Sequence, residues 1–174
     1  MLSADKPILL NDADIIAVVQ REYALTPTIR RLPGEYDTNA LLIAPDGRHY
    51  VLKVMHPHRE TAFVEMQIAA LTHIRTHATT IPVQRVVPQQ SGKLWSVCQI
   101  AGNAHIVWML EYLDGTLFAD ANPIDDVLIA DLGRVLGQLA HVLQSFAHPA
   151  THRALEWDVM RGGWISDALA TFTG

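Results

Sequence analysis

The sequence predicts an α+β fold, an antiparallel sheet with helices packed beside it, and three observations carry that expectation. Short apolar runs over residues 28–55 are divided by Pro33-Gly34 and by Asp46-Gly47, which reads as three antiparallel strands joined by a loop and a tight turn. A second pair of apolar runs, 94–100 and 105–113, folds back around Gly102-Asn103. Apolar residues return at helical spacing over 60–77 and again over 123–146.

Each element has its own signal. Asn11 and Asp12 can cap a first helix carrying Ile15, Ile16, Val19 and Tyr23. Strands are expected at 28–32, 39–43 and 50–55, followed by a helix over 60–77 with Phe63, Gln67, Ala70, Leu71 and Ile74 on one stripe. Pro82 and Pro88 bracket VQRVV, an edge-type segment. The hairpin formed by 94–100 and 105–113 completes a five-stranded sheet. Past Asp114-Gly115 the pattern becomes helical, with Leu128, Leu132, Val135, Leu139, Val142 and Phe146 on one face. Gly133 and Gly137, four apart, would let another helix come close. Asp125 and Asp126 stand where first-turn carboxylates favour a helix dipole. The tail, with Trp157 and Trp164, reads as a further short helix. The chain thus divides into a sheet-bearing lobe, 1–113, and a helical part, 114–174.

Composition narrows the function. With 174 residues the chain can bury one sizeable core or form two small lobes. A 49% hydrophobic content, 18% charged residues and a net charge of -5 without any Lys/Arg block argue against nucleic acid or an anionic membrane as partner. The single cysteine, Cys98, excludes a disulfide framework within the chain and reads as a small buried hydrophobe. No stretch of 18 apolar residues occurs and the N-terminal apolar run is too short for a signal peptide, so a soluble, cytoplasmic protein is expected. Nine histidines invite a metal reading, but His73 and His77 lack a third ligand at metal spacing and read as surface, and His56 and His58 read as an exposed loop.

Lys53 is the residue that composition does not explain. In HYVLKVMHPH it stands between Val51, Leu52, Val54 and Met55. Strand alternation puts Val51, Lys53 and Met55 on one face and Tyr50, Leu52 and Val54 on the other. An amine buried there needs an anion. On spacing alone the plainer reading is an edge strand whose lysine reaches water and guards against aggregation.

Three neighbours bear on the choice: LPGEYDTN ahead of the strand, a glycine turn able to aim backbone N–H groups at an anion; Glu65 and Gln67 on the helix behind it; and VWMLEYLDG, an apolar strand ending at a hinge. In that order they resemble the N-terminal lobe of the protein-kinase-like fold, and more nearly the aminoglycoside phosphotransferase family of small-molecule kinases. LPGEYDTNALLIAPDGRHYVLKVMHP is similar to the family's loop–strand–turn–strand segment, IPVQRVVP to its stretch after the helix, and VWMLEYLDGTLF to its hinge. VEMQIAAL and HRALEWDV are similar to the hydroxylysine-kinase-like branch. The resemblance covers roughly residues 25–165.

That resemblance implies an ATP site. Lys53 would bind the α- and β-phosphates as a point charge. Gly34, Glu35, Tyr36, Asp37, Thr38 and Asn39 would cover the phosphates with backbone donors. Leu32 and Val51 would roof the adenine, Leu110 would stand at the back of the pocket, and the Glu111 carbonyl and Leu113 N–H would bond the adenine. The family's lysine is braced by a helix glutamate; here that position is Gln67, with Glu65 two residues earlier. The two point roughly 200° apart, so only one can face Lys53, and stripe position favours Gln67.

The family's His-Gly-Asp-x-x-x-x-Asn motif and its later Mg2+-binding aspartate do not occur in the sequence. The resemblance therefore implies the ATP-binding part of a kinase, followed by the first helices of a truncated C-terminal lobe, with catalytic groups and Mg2+ ligands outside this chain and the fragment itself inactive. The parent would transfer the γ-phosphoryl of MgATP to the hydroxyl of an amino alcohol, a hydroxylated amino acid or an aminoglycoside-like molecule. A fused aminotransferase-like, pyridoxal-phosphate domain is a further implied partner, and the apolar helix over 123–146 would favour self-association. The alternative is a non-catalytic kinase-like module that senses nucleotide or binds a protein.

Overall fold

The computed structural model describes residues 10–152 together with Met160 and Gly163. HRALEWDV beyond His152, Trp157 and Trp164 lie outside the described residues. The order of elements is α1 (Asp12–Tyr23), β1 (Thr28–Leu32), β2 (Thr38–Ile43), β3 (His49–Val54), α2 (Thr61–His77), β4 (Val86–Val87), β5 (Trp95–Ile100), β6 (Asn103–Glu111) and α3 (Asp126–Leu143), with short 3-10 turns at Phe118–Asp120 and Pro149–His152.

All strands pair antiparallel in one sheet of six strands, ordered β1-β2-β3-β6-β4, with β5 also on β6. The expected five strands are all present. The sixth is the Val86–Val87 part of VQRVV, which shares with β5 the edge of β6 that β3 leaves open. β3 pairs with β2 on one side and β6 on the other, so the edge-strand reading of Lys53 is overturned.

Two helices cover the two faces. On one face Tyr50, Leu52 and Val54 of β3 join Ile15, Val18, Val19 and Tyr23 of α1 in a core with Ala40, Leu42, Val107 and Met109. The Asn11 side chain accepts from the Asp14 N–H and starts α1 where the sequence places its cap. On the other face Met55, Ile106, Trp108 and Leu110 meet Val64 and Ile68 of α2, with Phe63 and Leu71 at the margin. The α2 stripe is therefore rotated by about one residue from expectation. Alanines at 62, 69 and 70 leave the apolar pattern ambiguous, and the bulk of Trp108 on the sheet selects Val64 and Ile68 to lie against it.

A third, smaller cluster joins the lobes: Ile74, Ile81 and Val142, flanked by Val83, Val135 and Leu139. His73 strengthens that joint, its Nε2 lying 3.0 Å from the Val142 carbonyl and its ring stacked on His77. His77 is exposed as expected, but His73 is half-buried, because it stands where α3 crosses α2. α3 begins at Asp126 rather than 123, since Asp125 accepts from the Leu128 N–H and fixes the start there. Among the described residues nothing packs on Gly133 or Gly137, and Val127, Ile129, Leu132 and Leu136 are exposed. No described helix is long and apolar enough to cross a membrane.

Substitution of Leu52, fully buried in the sheet centre, by Ala is expected to lower stability by about 3 kcal/mol through lost burial and a cavity. Val97→Ala, at an exposed side chain of β5, is expected to stay within about 0.5 kcal/mol. Urea unfolding midpoints compare the two.

Candidate nucleotide site

Register assembles the site. Residues directly opposite on antiparallel strands share a face. Leu32 faces Asn39, Asn39 faces Lys53, and Lys53 faces Trp108, so these four form one row across the sheet. The next row on the same face runs Leu41, Val51, Leu110 and Val86. Thus Leu32, Asn39, Val51, Lys53 and Leu110, separated by up to 78 positions (110 − 32), converge on one surface. Glu111 belongs to the opposite face, paired with Tyr50, and Leu113 lies just past the strand, exposed.

Lys53 is half-buried and donates from Nζ to Asn39 Oδ1 at 3.0 Å. Burial holds its ammonium below the ordinary lysine value, and the Asp37 carboxylate acts in the opposite direction. Neither expected brace reaches it. Gln67 Nε2 turns back along α2 to the Phe63 carbonyl at 3.3 Å, and Glu65 is exposed beside Lys93 and Trp95. The rotation of α2 explains this. With Val64 and Ile68 against the sheet, positions 65 and 67 flank the contact instead of entering it.

The glycine loop is tied down by side chains that spacing did not reveal. Asn39 Nδ2 donates to the Pro33 carbonyl at 3.1 Å, so one amide holds both the loop and the lysine. A Cβ on Gly34 would overlap the Asp37 carbonyl oxygen and crowd Asn39 Nδ2, so the close turn requires glycine. Asp37 accepts from the His56 N–H at 2.8 Å and lies 3.4 Å from Arg59 Nε. That guanidinium also sits over the rings of Tyr36 and Phe63, at 5.4 and 5.6 Å. His56 is consequently buried, contrary to expectation, while His58 is exposed. Glu35 and Thr38 complete the loop, Glu35 exposed and Thr38 half-buried. Arg59 precedes α2 without any periodic signal; a charged loop residue 22 positions after Asp37 is visible only once β2 and β3 pair.

At the hinge, the Glu111 N–H donates to the Arg85 carbonyl at 2.8 Å, and Tyr112 N–H to His49 at 3.1 Å. The Glu111 carbonyl accepts from Gln84 Nε2 at 3.4 Å. Among the described residues the Leu113 N–H has no partner. No group of three metal-ligating side chains occurs among the described residues.

A three-stranded antiparallel start, a strand lysine, a crossing helix and a hinge strand define a kinase-like fold. The chain belongs to the phosphotransferase enzyme family, APH, whose model matches residues 28–170. It is 30% identical over 149 residues to a hydroxylysine kinase from Danio rerio, matching 82% of this chain and 41% of that protein. Among solved structures it superposes on the amicoumacin kinase hAmiN in complex with AMP-PNP, Ca2+ and Ami, with a TM-score of 0.69 and 18% identity over 84% of this chain and 44% of that one. A microcompartment-associated aminopropanol kinase gives a TM-score of 0.65 and 20% identity, covering 84% and 45%. An aminoglycoside phosphotransferase from Alicyclobacillus acidocaldarius gives 0.55 and 18%, covering 95% and 44%. The chain thus spans less than half the length of these relatives.

Gly34→Ala is expected to push the Asp37 carbonyl and Asn39 amide outward and to cost about 1–2 kcal/mol. Amide exchange should rise across residues 34–38 while Leu52 stays protected; unchanged exchange in the loop would show that the turn has slack.

Proposed function

We propose that this chain is the ATP-binding part of a small-molecule kinase. The observation that carries the reading is Lys53, a half-buried amine on a central strand, held by the Asn39 that also ties the glycine loop and lying beside the apolar row of Leu41, Val51 and Leu110. A half-buried ammonium whose one hydrogen-bond partner among the described residues is a neutral amide is suited to an anionic ligand. The apolar row of Leu41, Val51 and Leu110 suits a flat heteroaromatic ring beside it.

In this reading Lys53 bonds the α- and β-phosphates, the loop at residues 34–39 lays backbone donors over them, and the Glu111 carbonyl and Leu113 N–H bond the adenine. The Glu111 carbonyl then exchanges the long contact with Gln84 for the ligand. Phosphoryl transfer forms a bond from the substrate hydroxyl oxygen to the γ-phosphorus and breaks the bond to the β,γ-bridging oxygen. The hydroxyl proton would pass to a base, and Mg2+, when bound, would offset the phosphate charge. Neither a His-Gly-Asp-x-x-x-x-Asn motif for that base nor the later Mg2+-binding aspartate occurs in this sequence. The substrate class we assign is an amino alcohol or hydroxylated amino acid, in keeping with hydroxylysine kinase and aminopropanol kinase among the relatives. The exposed apolar face of α3 fits the same proposal: in a longer kinase it packs inside a second lobe, and in this chain alone it draws copies together.

One observation favours a second reading, a nucleotide-sensing module without turnover: α2 supplies Lys53 no counter-charge. ADP release by the natural protein with a panel of amino alcohols separates the two, since a sensor binds ATP and releases none.

MgATP at about 100 times its Kd is expected to stabilise the chain by about 2.7 kcal/mol, read as a rise in Tm. Lys53→Ala should remove most of that rise, and an unchanged rise would contradict the phosphate role. Because only the protonated amine attracts phosphate and burial depresses its pKa, binding should weaken with rising pH sooner than an ordinary lysine would dictate.

A further inference from the structure

We propose that Asn39 is the positioning residue for Lys53, taking the place of a helix acid and coupling the lysine to the glycine loop. This deepens the nucleotide-site reading and rests on it. Asn39 faces Lys53 directly across β2 and β3, so its side chain reaches the ammonium without help from any helix. Its two amide groups are divided between two tasks. Oδ1 accepts from Lys53 Nζ at 3.0 Å, and Nδ2 donates to the Pro33 carbonyl at 3.1 Å, immediately before Gly34. No other natural side chain of this size offers an acceptor and a donor in that fixed geometry.

The consequence is mechanical. Rotation of the amide to follow a displaced loop moves the acceptor away from Lys53, and rotation to follow the lysine releases Pro33. Loop closure and lysine orientation are therefore one event. α2 is relieved of that duty, which accounts for a glutamine at position 67 turned to the Phe63 carbonyl. One ammonium hydrogen is committed to Asn39, and the others remain for phosphate oxygens. The charged neighbour acting on the amine is Asp37, itself anchored by the His56 N–H and Arg59.

The test titrates Lys53 in the whole chain. Trace labelling with acetic anhydride across a pH series, read by mass spectrometry at residue 53, gives the apparent pKa of the amine. Asn39→Ala should lower it by about one pH unit, because a hydrogen bond to the charged form is lost. Asn39→Asp should raise it by about as much. Unfolding would carry Lys53 up toward a free lysine, so a misfolded Asn39→Ala cannot imitate the expected fall. Gln67→Ala and Glu65→Gln should leave the titration unchanged. MgATP should bind Asn39→Ala about tenfold more weakly than the parent. An unmoved Lys53 titration in Asn39→Ala, or an equal fall in Gln67→Ala, overturns the proposal. If the titrations shift as expected but MgATP does not shield Lys53 in the parent chain, Asn39 still positions the amine and the nucleotide reading falls instead.

Discussion

The hydrogen bond from Lys53 Nζ to Asn39 Oδ1 ties the half-buried amine of β3 to the side chain that also holds the glycine loop. It crosses from β3 to β2, and the same amide reaches the Pro33 carbonyl where the glycine loop begins. Behind it stands Trp108, fully buried, which closes the flank of Lys53 on the β6 side and receives α2. Lysine burial is costly without a partner. A neutral amide offsets part of that cost, whereas a carboxylate would offset more and compete with phosphate. The constraint sets how tightly β2, β3 and the loop must pack.

The rest of the sheet serves this arrangement. Leu52 and its neighbours secure β3 against α1 on the far face, so the near face can carry a charge. Arg59 clamps Tyr36, Phe63 and Asp37, holding the loop to the start of α2. The joint of Ile74, Ile81, Val142 and His73 fixes α3 to the back of α2. Each contact lies outside the lysine row, and each limits how far the row can distort.

Much of this was legible in the sequence. Period-two alternation and the Asp46-Gly47 turn gave β2 and β3 to within a residue, and with them the face on which Lys53 lies. The order of glycine loop, lysine, helix and hinge carried the family. What alternation could not show was neighbourhood. Whether β3 lay at an edge depended on β6 pairing with it from more than fifty positions away. The phase of α2 escapes for a related reason: small residues at 62, 69 and 70 make two stripes nearly equivalent, and the sheet residues Ile106, Trp108 and Leu110 that meet Val64 and Ile68 lie far off in sequence. With that rotation Gln67 and Glu65 flank the sheet contact, while Asn39, expected to cover phosphate through its backbone, reaches Lys53 through its side chain. Asn39 acts through its side chain across a strand pair, a relation that helix spacing does not contain.

An amide on β2, and no side chain of α2, holds the Lys53 amine. A crystal structure of this chain with a non-hydrolysable ATP analogue tests it most directly. The expected result has Lys53 Nζ within hydrogen-bond distance of both Asn39 Oδ1 and an α- or β-phosphate oxygen, with Asn39 still joined to Pro33. Phosphates bound away from Lys53, or a lysine swung from Asn39 to Gln67 or Glu65, would contradict it.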